Sequence, residues 1–240
     1  MIAYYYLFKI IVALPFLIYA CKVDLKERRV PNKLWKYMLV VFVPIVLIEF
    51  FLTQFNVFIA LIQFSVIFVL AYALHYTGLW GGADAKALTL LAVAFPVYPQ
   101  LWFMPALNQG FGILAFSTLS NAVVFSPAVV LYVFLKNLRH GVREGKLLHY
   151  FTGYRVDADR IPPFHNLLEY FNDGKLKRVN RGIEPYDKIL ADLKKAKEKG
   201  KIDKIWVTPG LPFLVFITAG FMISILVGDI LLEIIMKLLV

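Results

Sequence analysis

Cysteine is nearly absent from this chain of 240 residues, in which Cys21 is the single example. One thiol excludes an internal disulfide and a zinc site built from four cysteines. The four histidines do not follow the His-Glu-x-x-His spacing of a zinc motif. The sequence also contains no nucleophile elbow, phosphate-binding loop or Ser–Lys pair. We therefore expect neither a metal nor a cofactor.

Charge is scarce as well, at 18% of residues against 60% hydrophobic, and the mean hydropathy is +0.69. This composition is typical of a membrane protein. The first apolar run has no basic segment before it and no small-residue cleavage site, which predicts a retained helix rather than a removed signal peptide. The net charge of +10 is concentrated between apolar runs, a pattern that marks cytoplasmic loops. We expect contact with membrane lipids and no nucleic-acid partner.

Six apolar runs approach the length of about 20 residues that a membrane-spanning helix needs. The predicted spans are Ile2–Cys21, Leu34–Leu52, Val57–Tyr76, Ala83–Phe103, Ile113–Leu135 and Gly210–Leu232. Pro96 and Pro99 interrupt the fourth run and predict a kinked or frayed far end. The expected fold class is an all-α polytopic membrane protein with six transmembrane helices.

A polar segment, residues 136–208, separates the fifth and sixth runs and contains 17 Lys or Arg against 10 Asp or Glu. It predicts a small soluble insertion with short helices over Phe164–Phe171 and Tyr186–Lys199. The predicted domains are a membrane core of five spans over 1–135, a cytoplasmic soluble domain over 136–208 and a sixth transmembrane helix within 209–240.

The distribution of Lys and Arg predicts the orientation. The loop 22–36 contains six basic residues, whereas the connections 53–56 and 104–112 contain none. Because basic loops stay in the cytoplasm, the loop 22–36, the stretch 77–83 and the soluble insertion are predicted to be cytoplasmic. Both termini are then outside, and the protein is an integral, multi-pass protein of the cell membrane.

Two acids, Asp24 and Asp84, fall at the cytoplasmic ends of the first and fourth spans. Two carboxylates that share a water can divide the work of catalysis, one as a base that activates the water and one as an acid. Gly81 and Gly82 precede Asp84 and would let a substrate backbone approach and permit positive φ. Each acid alone has a simpler interpretation, as an interfacial side chain paired with a nearby cation or as an anion at a helix N-terminus.

The sequence around these acids resembles the type IV prepilin peptidase family, in particular its archaeal preflagellin (archaellin) peptidase branch. The resemblance rests on Asp24-Leu25-Lys26-Glu27-Arg28-Arg29-Val30-Pro31-Asn32 and on Gly81-Gly82-Ala83-Asp84. The second motif departs from the family's Gly-x-Gly-Asp pattern, since Ala83 takes the place of a glycine. The bacterial members' cysteine-pair domain has no counterpart here, so methyl transfer is not expected.

The resemblance implies an aspartyl endopeptidase that removes short basic leader peptides from preflagellin- or prepilin-like filament subunits at the cytoplasmic face. Asp24 and Asp84 are its implied catalytic pair. The residues implied to support them are Lys26, Pro31, Asn32, Gly81, Gly82 and Ala83.

Two other functions remain open from the residues. Intramembrane proteases of the presenilin or signal-peptide-peptidase kind also pair two aspartates, but they place them within the spans and have a Pro-Ala-Leu motif, where this chain has Leu211-Pro212-Phe213. A small ion- or proton-coupled transporter would use the acids to bind its ion. Its usual signature is internal repetition of the spans, and no such repeat is evident in this sequence.

Overall fold

The computed structural model of the chain describes residues 1–77, 80–139, 147–172 and 175–239. They form two compact units, one from residues 1–126 and 212–240 and the other from residues 127–211. In chain order the elements are α1 (Ile2–Glu27), α2 (Asn32–Thr53), α3 (Val57–Tyr76), α4 (Gly82–Ala94), α5 (Leu114–Phe125), α6 (Pro127–Arg139), α7 (Leu147–Thr152), β1 (Tyr154–Asp157), β2 (His165–Asn172), β3 (Lys175–Ile183), α8 (Asp187–Glu198), β4 (Lys204–Pro209), α9 (Phe213–Leu226) and α10 (Ile230–Leu239).

The first three helices follow the three predicted spans. Pro31, whose φ is −64°, directly precedes α2, and the side chain of Asn56 caps α3 by accepting a hydrogen bond from the backbone N–H of Ile59 at 3.1 Å. Within the described residues, four helical runs are long and apolar enough to cross a membrane, or five if the bent pair of α9 and α10 counts as one span. The predominantly helical, membrane-type fold is therefore confirmed, while the count of six spans stays a prediction.

The fourth predicted span is shorter than expected. The far end is interrupted at the prolines, as expected, since α4 has 13 residues and ends at Ala94, two residues before Pro96, and residues 95–103 are not helical. Phe95 follows with φ −129° and ψ 73°. These angles lie outside the helical region, which is sterically disfavoured for Phe95 because Pro96 follows it. At 1.5 Å per residue α4 is about 20 Å long, less than the roughly 30 Å of a bilayer's hydrocarbon core.

The sixth predicted span is broken near its far end. α9 ends at Leu226, and α10 continues at an angle of 65° to it. Between them Gly228 adopts a φ of 112°, and a Cβ at this position would lie 2.5 Å from the carbonyl oxygen of Asn108. Asn121 on α5 holds the break in place, since its side chain donates to the carbonyl of Gly228 and accepts from the backbone N–H of Ile230.

One apolar core joins the helices of the first unit, and α1, α2, α4, α5 and α9 all contribute fully buried side chains to it. α5 and α9 approach each other at Gly220, where a Cβ would lie 2.3 Å from the carbonyl oxygen of Thr118. Large apolar side chains such as Val40, Phe58 and Val69 are exposed on the other side of their helices. This arrangement is expected where helix surfaces contact lipid.

An ion pair lies inside this core. Lys9 on α1 and Glu49 on α2 are both completely buried and bonded to each other. The ammonium group of Lys9 also lies 4.8 Å from the ring centroid of Phe95, within the range of a cation–π interaction. Burial of two charges is tolerated here because each charge has the other as its partner.

The second unit contains a four-stranded antiparallel sheet with the order β1-β4-β2-β3. An all-α fold was therefore wrong for this part of the chain, and so was the helix predicted over Phe164–Phe171, most of which lies in β2. The second predicted helix corresponds to α8. α8 buries Ile189 and Leu193 in a small core with Leu167 of β2. The insertion therefore has an apolar core of its own.

Candidate active site

Asp24 lies on the last turn of α1, three residues before the helix ends. Its side chain is 13% exposed, and its Oδ2 atom lies 3.9 Å from Nη1 of Arg28. Arg28 ends the helix in the left-handed conformation, with φ 54°, and its backbone N–H donates to the carbonyl of Asp24 at 3.0 Å. Glycine is the usual residue at such a position because a side chain costs energy there. In this chain an arginine occupies the position, and its guanidinium lies beside the carboxylate of Asp24.

Asp84 is the third residue of α4 and is buried, with 7% of its surface exposed. Its Oδ2 atom accepts a hydrogen bond from the backbone N–H of Gly81 at 3.0 Å. This bond satisfies one of the donors that every helix N-terminus leaves without a partner. The first turn of α4 therefore fixes the position of the carboxylate.

The glycine at position 81 allows the backbone to lie close to the carboxylate of Asp84, and it does not provide a positive φ. Its backbone is extended, with φ −73° and ψ 153°, and a Cβ here would lie 3.2 Å from Oδ2 of Asp84. Gly82 already belongs to α4, and a Cβ there would lie 3.4 Å from Cε1 of His75. Ala83, the departure from the family motif, packs partly buried against the apolar core. A methyl group therefore fits in the first turn of α4, where no unusual backbone conformation is needed.

The structure brings the two acids into one electrostatic environment. Asp24 and Arg28 both lie within Coulomb range of the carboxyl group of Asp84, and the thiol of Cys21 lies within range of both carboxyl groups. The end of α1 and the beginning of α4 therefore lie near each other, although they are far apart in the sequence. Arg28, beside Asp24, is a positive charge in the same region.

A hydrogen bond connects the first motif to the helix that carries Asp84: Lys86 Nζ donates to the side-chain oxygen of Asn32 at 2.6 Å. Asn32 is the first residue of α2 and follows Pro31, so this bond joins the starts of α2 and α4. Lys26 lies on the last turn of α1 and is exposed. Trp80 holds the segment before α4 by stacking on Phe213 of α9, with ring centroids 5.1 Å apart.

Cys21 and His75 have structural contacts of their own. The thiol of Cys21 lies 3.0 Å from the hydroxyl of Thr218 and 3.2 Å from the carbonyl oxygen of Leu214, both on α9. His75, at the end of α3, places Nδ1 3.3 Å from the carbonyl oxygen of Trp80. Over the ranges that the structure describes, no group of three or more His, Cys, Asp and Glu side chains could hold a metal ion.

The residue that sequence reasoning missed at this site is Arg28. Its spacing of four residues from Asp24 was a usable signal, since such pairs face each other on a helix. The same loop contains several other cations, however, and the sequence does not show that the helix continues far enough for this spacing to bring Arg28 beside Asp24. The left-handed backbone conformation of Arg28 accompanies the position of its side chain beside Asp24. Only the structure reveals this conformation.

The long apolar helices of the first unit define a helical membrane protein. Comparison with protein families identifies its family. The model of the type IV leader peptidase family matches residues 11–138, which are more than half of the chain. This protein therefore belongs to the type IV leader peptidase family. A second family, described as archaeal peptidase A24 C-terminus type II, matches residues 145–230.

Individual relatives agree with this family. A preflagellin peptidase of Methanococcus voltae is 29% identical over 227 residues, which cover 90% of this chain and 93% of the relative. Preflagellin peptidases of Methanococcus maripaludis and Methanocaldococcus jannaschii are 26% and 25% identical and cover 90% and 86% of this chain, and 94% and 88% of their own lengths. The predicted resemblance to the archaeal preflagellin peptidase branch is thereby confirmed.

Proposed function

We propose that this protein is a membrane aspartyl endopeptidase that removes short basic leader peptides from preflagellin- or prepilin-like precursors. Membership of the leader peptidase family supports the reaction, and the names of its relatives support preflagellin as the substrate class. The observation that carries the mechanism is that two largely buried acids, Asp24 in the last turn of α1 and Asp84 in the first turn of α4, lie within Coulomb range of each other. The motif residues near this pair in the sequence lie at the end of α1 and at the starts of α2 and α4; they are Lys26, Pro31, Asn32, Gly81, Gly82 and Ala83.

The proposed reaction is a hydrolysis in which one carboxylate is ionised and the other protonated. The ionised carboxylate takes a proton from a water molecule while the water oxygen bonds to the carbonyl carbon of the scissile peptide. The protonated carboxyl group hydrogen-bonds the developing oxyanion. Proton transfer to the leaving nitrogen then breaks the C–N bond and yields a free amine and a carboxyl group.

The surroundings of the two acids favour different roles for them. Arg28 lies beside Asp24 as an ion pair and favours a negative charge there, so we assign Asp24 as the base. Asp84 is more deeply buried and accepts one hydrogen bond, from Gly81. Burial favours the neutral form of a carboxyl group, so we assign Asp84 as the acid.

The proposed orientation has six spans, with both termini outside and the catalytic pair at the cytoplasmic face. The six basic residues of the loop 22–36 support it. In this orientation the leader is cleaved in the cytoplasm, and the insertion between the fifth and sixth spans is a cytoplasmic soluble domain. A basic leader remains on the side where it was synthesised.

Purified protein in detergent, incubated with a preflagellin precursor, tests the proposed activity. We expect one cleavage at the junction between the basic leader and the apolar segment that follows, identified by the masses of both products. Absence of cleavage across a panel of short-leader precursors would contradict the proposal. Ion flux that depends on pH in liposomes, together with no cleavage, would favour the transporter.

Replacement of Arg28 tests the assigned roles. Arg28→Gly removes the guanidinium but suits the left-handed backbone, so we expect the fold to persist while kcat falls about tenfold, because the ionised form of Asp24 loses a neighbouring positive charge. KM should change little, and Arg28→Lys should retain part of the activity. Cleavage rates over a pH series and the unfolding temperature of each variant provide the measurement.

The control for this experiment is Arg29→Gly, which removes a neighbouring exposed arginine and should leave the cleavage rate and its pH profile unchanged. If Arg28→Gly kept full kcat and the wild-type pH profile, Arg28 would have no positioning role. Equal losses in both variants would instead indicate a general effect of charge in this loop.

A further inference from the structure

A cavity of about 490 Å³ lies between α2, α3 and α4. Its size is typical of a small-molecule site, and it belongs entirely to the first unit. Gly82 and Asn32 line it, so it is adjacent to the two motifs, yet neither Asp24 nor Asp84 is among its lining residues. The cavity is therefore a neighbour of the catalytic pair and separate from it.

The wall of this cavity changes from polar to apolar with depth. α2 and α4 begin, and α3 ends, at its polar side, where Lys36, Lys86 and His75 line it. One to two helical turns further along the same helices, about 5–10 Å, the lining residues are Leu39, Leu90 and Phe68. A ligand that fits this gradient has a polar end and an apolar body.

The charge of the polar end is positive. Two lysines from different helices line it, and the described residues that line the cavity include no acid. Lys36 is exposed and has no hydrogen-bond or ion-pair partner among the described residues. Lys86 donates one hydrogen bond to Asn32 and retains further donors, because an ammonium group has three.

We propose that the cavity between α2, α3 and α4 binds one anionic phospholipid. The phosphate lies between Lys36 and Lys86, and one acyl chain follows Leu39, Leu90 and Phe68 into the membrane. Charge complementarity and the polar-to-apolar gradient select this ligand. The basic leader of the substrate is the wrong ligand, because two lysines at the mouth of the cavity repel it.

Lipid titration of the detergent-purified, delipidated protein by native mass spectrometry tests the site. Phosphatidylglycerol and phosphatidylcholine with identical acyl chains are compared. We expect one phosphatidylglycerol to bind about tenfold more tightly than phosphatidylcholine, as two lysines near an anionic phosphate predict. Lys36→Gln/Lys86→Gln should lose this preference, and Lys36→Gln alone should reduce it about threefold.

The matched control is Lys22→Gln/Lys33→Gln, which removes two exposed lysines that do not line the cavity and should keep the tenfold preference. Equal affinity of the wild type for both lipids, or equal losses in the two double variants, would overturn the proposal. The Asp24→Asn variant should bind lipid as the wild type does, whether or not the protein is a peptidase. Displacement of the lipid from that variant by an intact precursor would overturn the proposal and assign the cavity to the substrate.

Discussion

Asp84→Asn is expected to reduce the cleavage rate by about 10³-fold or more, since general acid–base groups contribute about 10²–10⁴ each. The fold should persist, because the side-chain oxygen of asparagine can still accept the hydrogen bond that Gly81 donates. An amide, however, cannot donate the proton that the leaving amine needs. Single-turnover cleavage of a preflagellin precursor, followed by product mass, measures the effect.

Asp187→Asn is the matched control for this substitution. Asp187 is also an acid in the first turn of a helix, α8, but it belongs to the second unit. We expect this variant to cleave at the wild-type rate and both variants to unfold near the wild-type temperature. Near-normal cleavage by Asp84→Asn would show that Asp84 is an interfacial residue and not a catalytic one.

Lys9→Met is expected to be the most destabilising single change outside the site, at about 3–5 kcal/mol. It leaves the carboxylate of Glu49 completely buried without its only cationic partner among the described residues. The double variant Lys9→Met/Glu49→Leu should recover most of that loss, because apolar side chains of similar volume can replace a buried ion pair. Thermal unfolding in detergent provides the comparison.

The control for this cycle is the ion pair of Lys237, which is exposed, with the partly buried Glu233, whose atoms lie 3.3 Å apart. Lys237→Met should change stability by less than about 1 kcal/mol, as surface pairs do. If Lys9→Met unfolded at the wild-type temperature, the buried pair would have no role in holding α1 against α2. A double variant as unstable as Lys9→Met would indicate that packing, and not charge, dominates at this position.

The long apolar helices could be predicted from the sequence because length and hydropathy alone determine them. The end of α4 was less predictable. Proline marked the region, but the sequence does not say whether a helix bends at Pro96 or ends before it. In the structure the helix ends at Ala94, and the residues up to the fifth helix follow a different path.

The sheet of the second unit could not be predicted from the sequence, for a different reason. Leu167, Leu168 and Glu169 are consecutive and all buried, since β2 lies between β3 and β4. A short apolar run buried in this way has no period that separates a strand from a helix. Glu169 is buried because Arg178 and the backbone N–H of Trp206 bond to its carboxylate, and neither partner is adjacent in sequence.

For the candidate site, charge-based topology predicted that Asp24 and Asp84 share one end of the helices. Their electrostatic proximity depends on how α1 and α4 pack in the common core, which no local pattern encodes. The role of Arg28 depends on the backbone conformation of one residue at the end of α1. The motifs thus selected the two acids as candidates, and the structure adds the arginine beside Asp24.

The measurement that tests the central claim most directly is a double-mutant cycle on the two acids. Asp24→Asn, Asp84→Asn and the double variant are compared by single-turnover cleavage of the same precursor. If the two carboxylates act as one unit on one water, the double variant should cleave no more slowly than either single variant, because catalytic groups that act together are not additive. Independent, multiplicative losses, or a single variant with near-normal cleavage, would contradict the shared catalytic site.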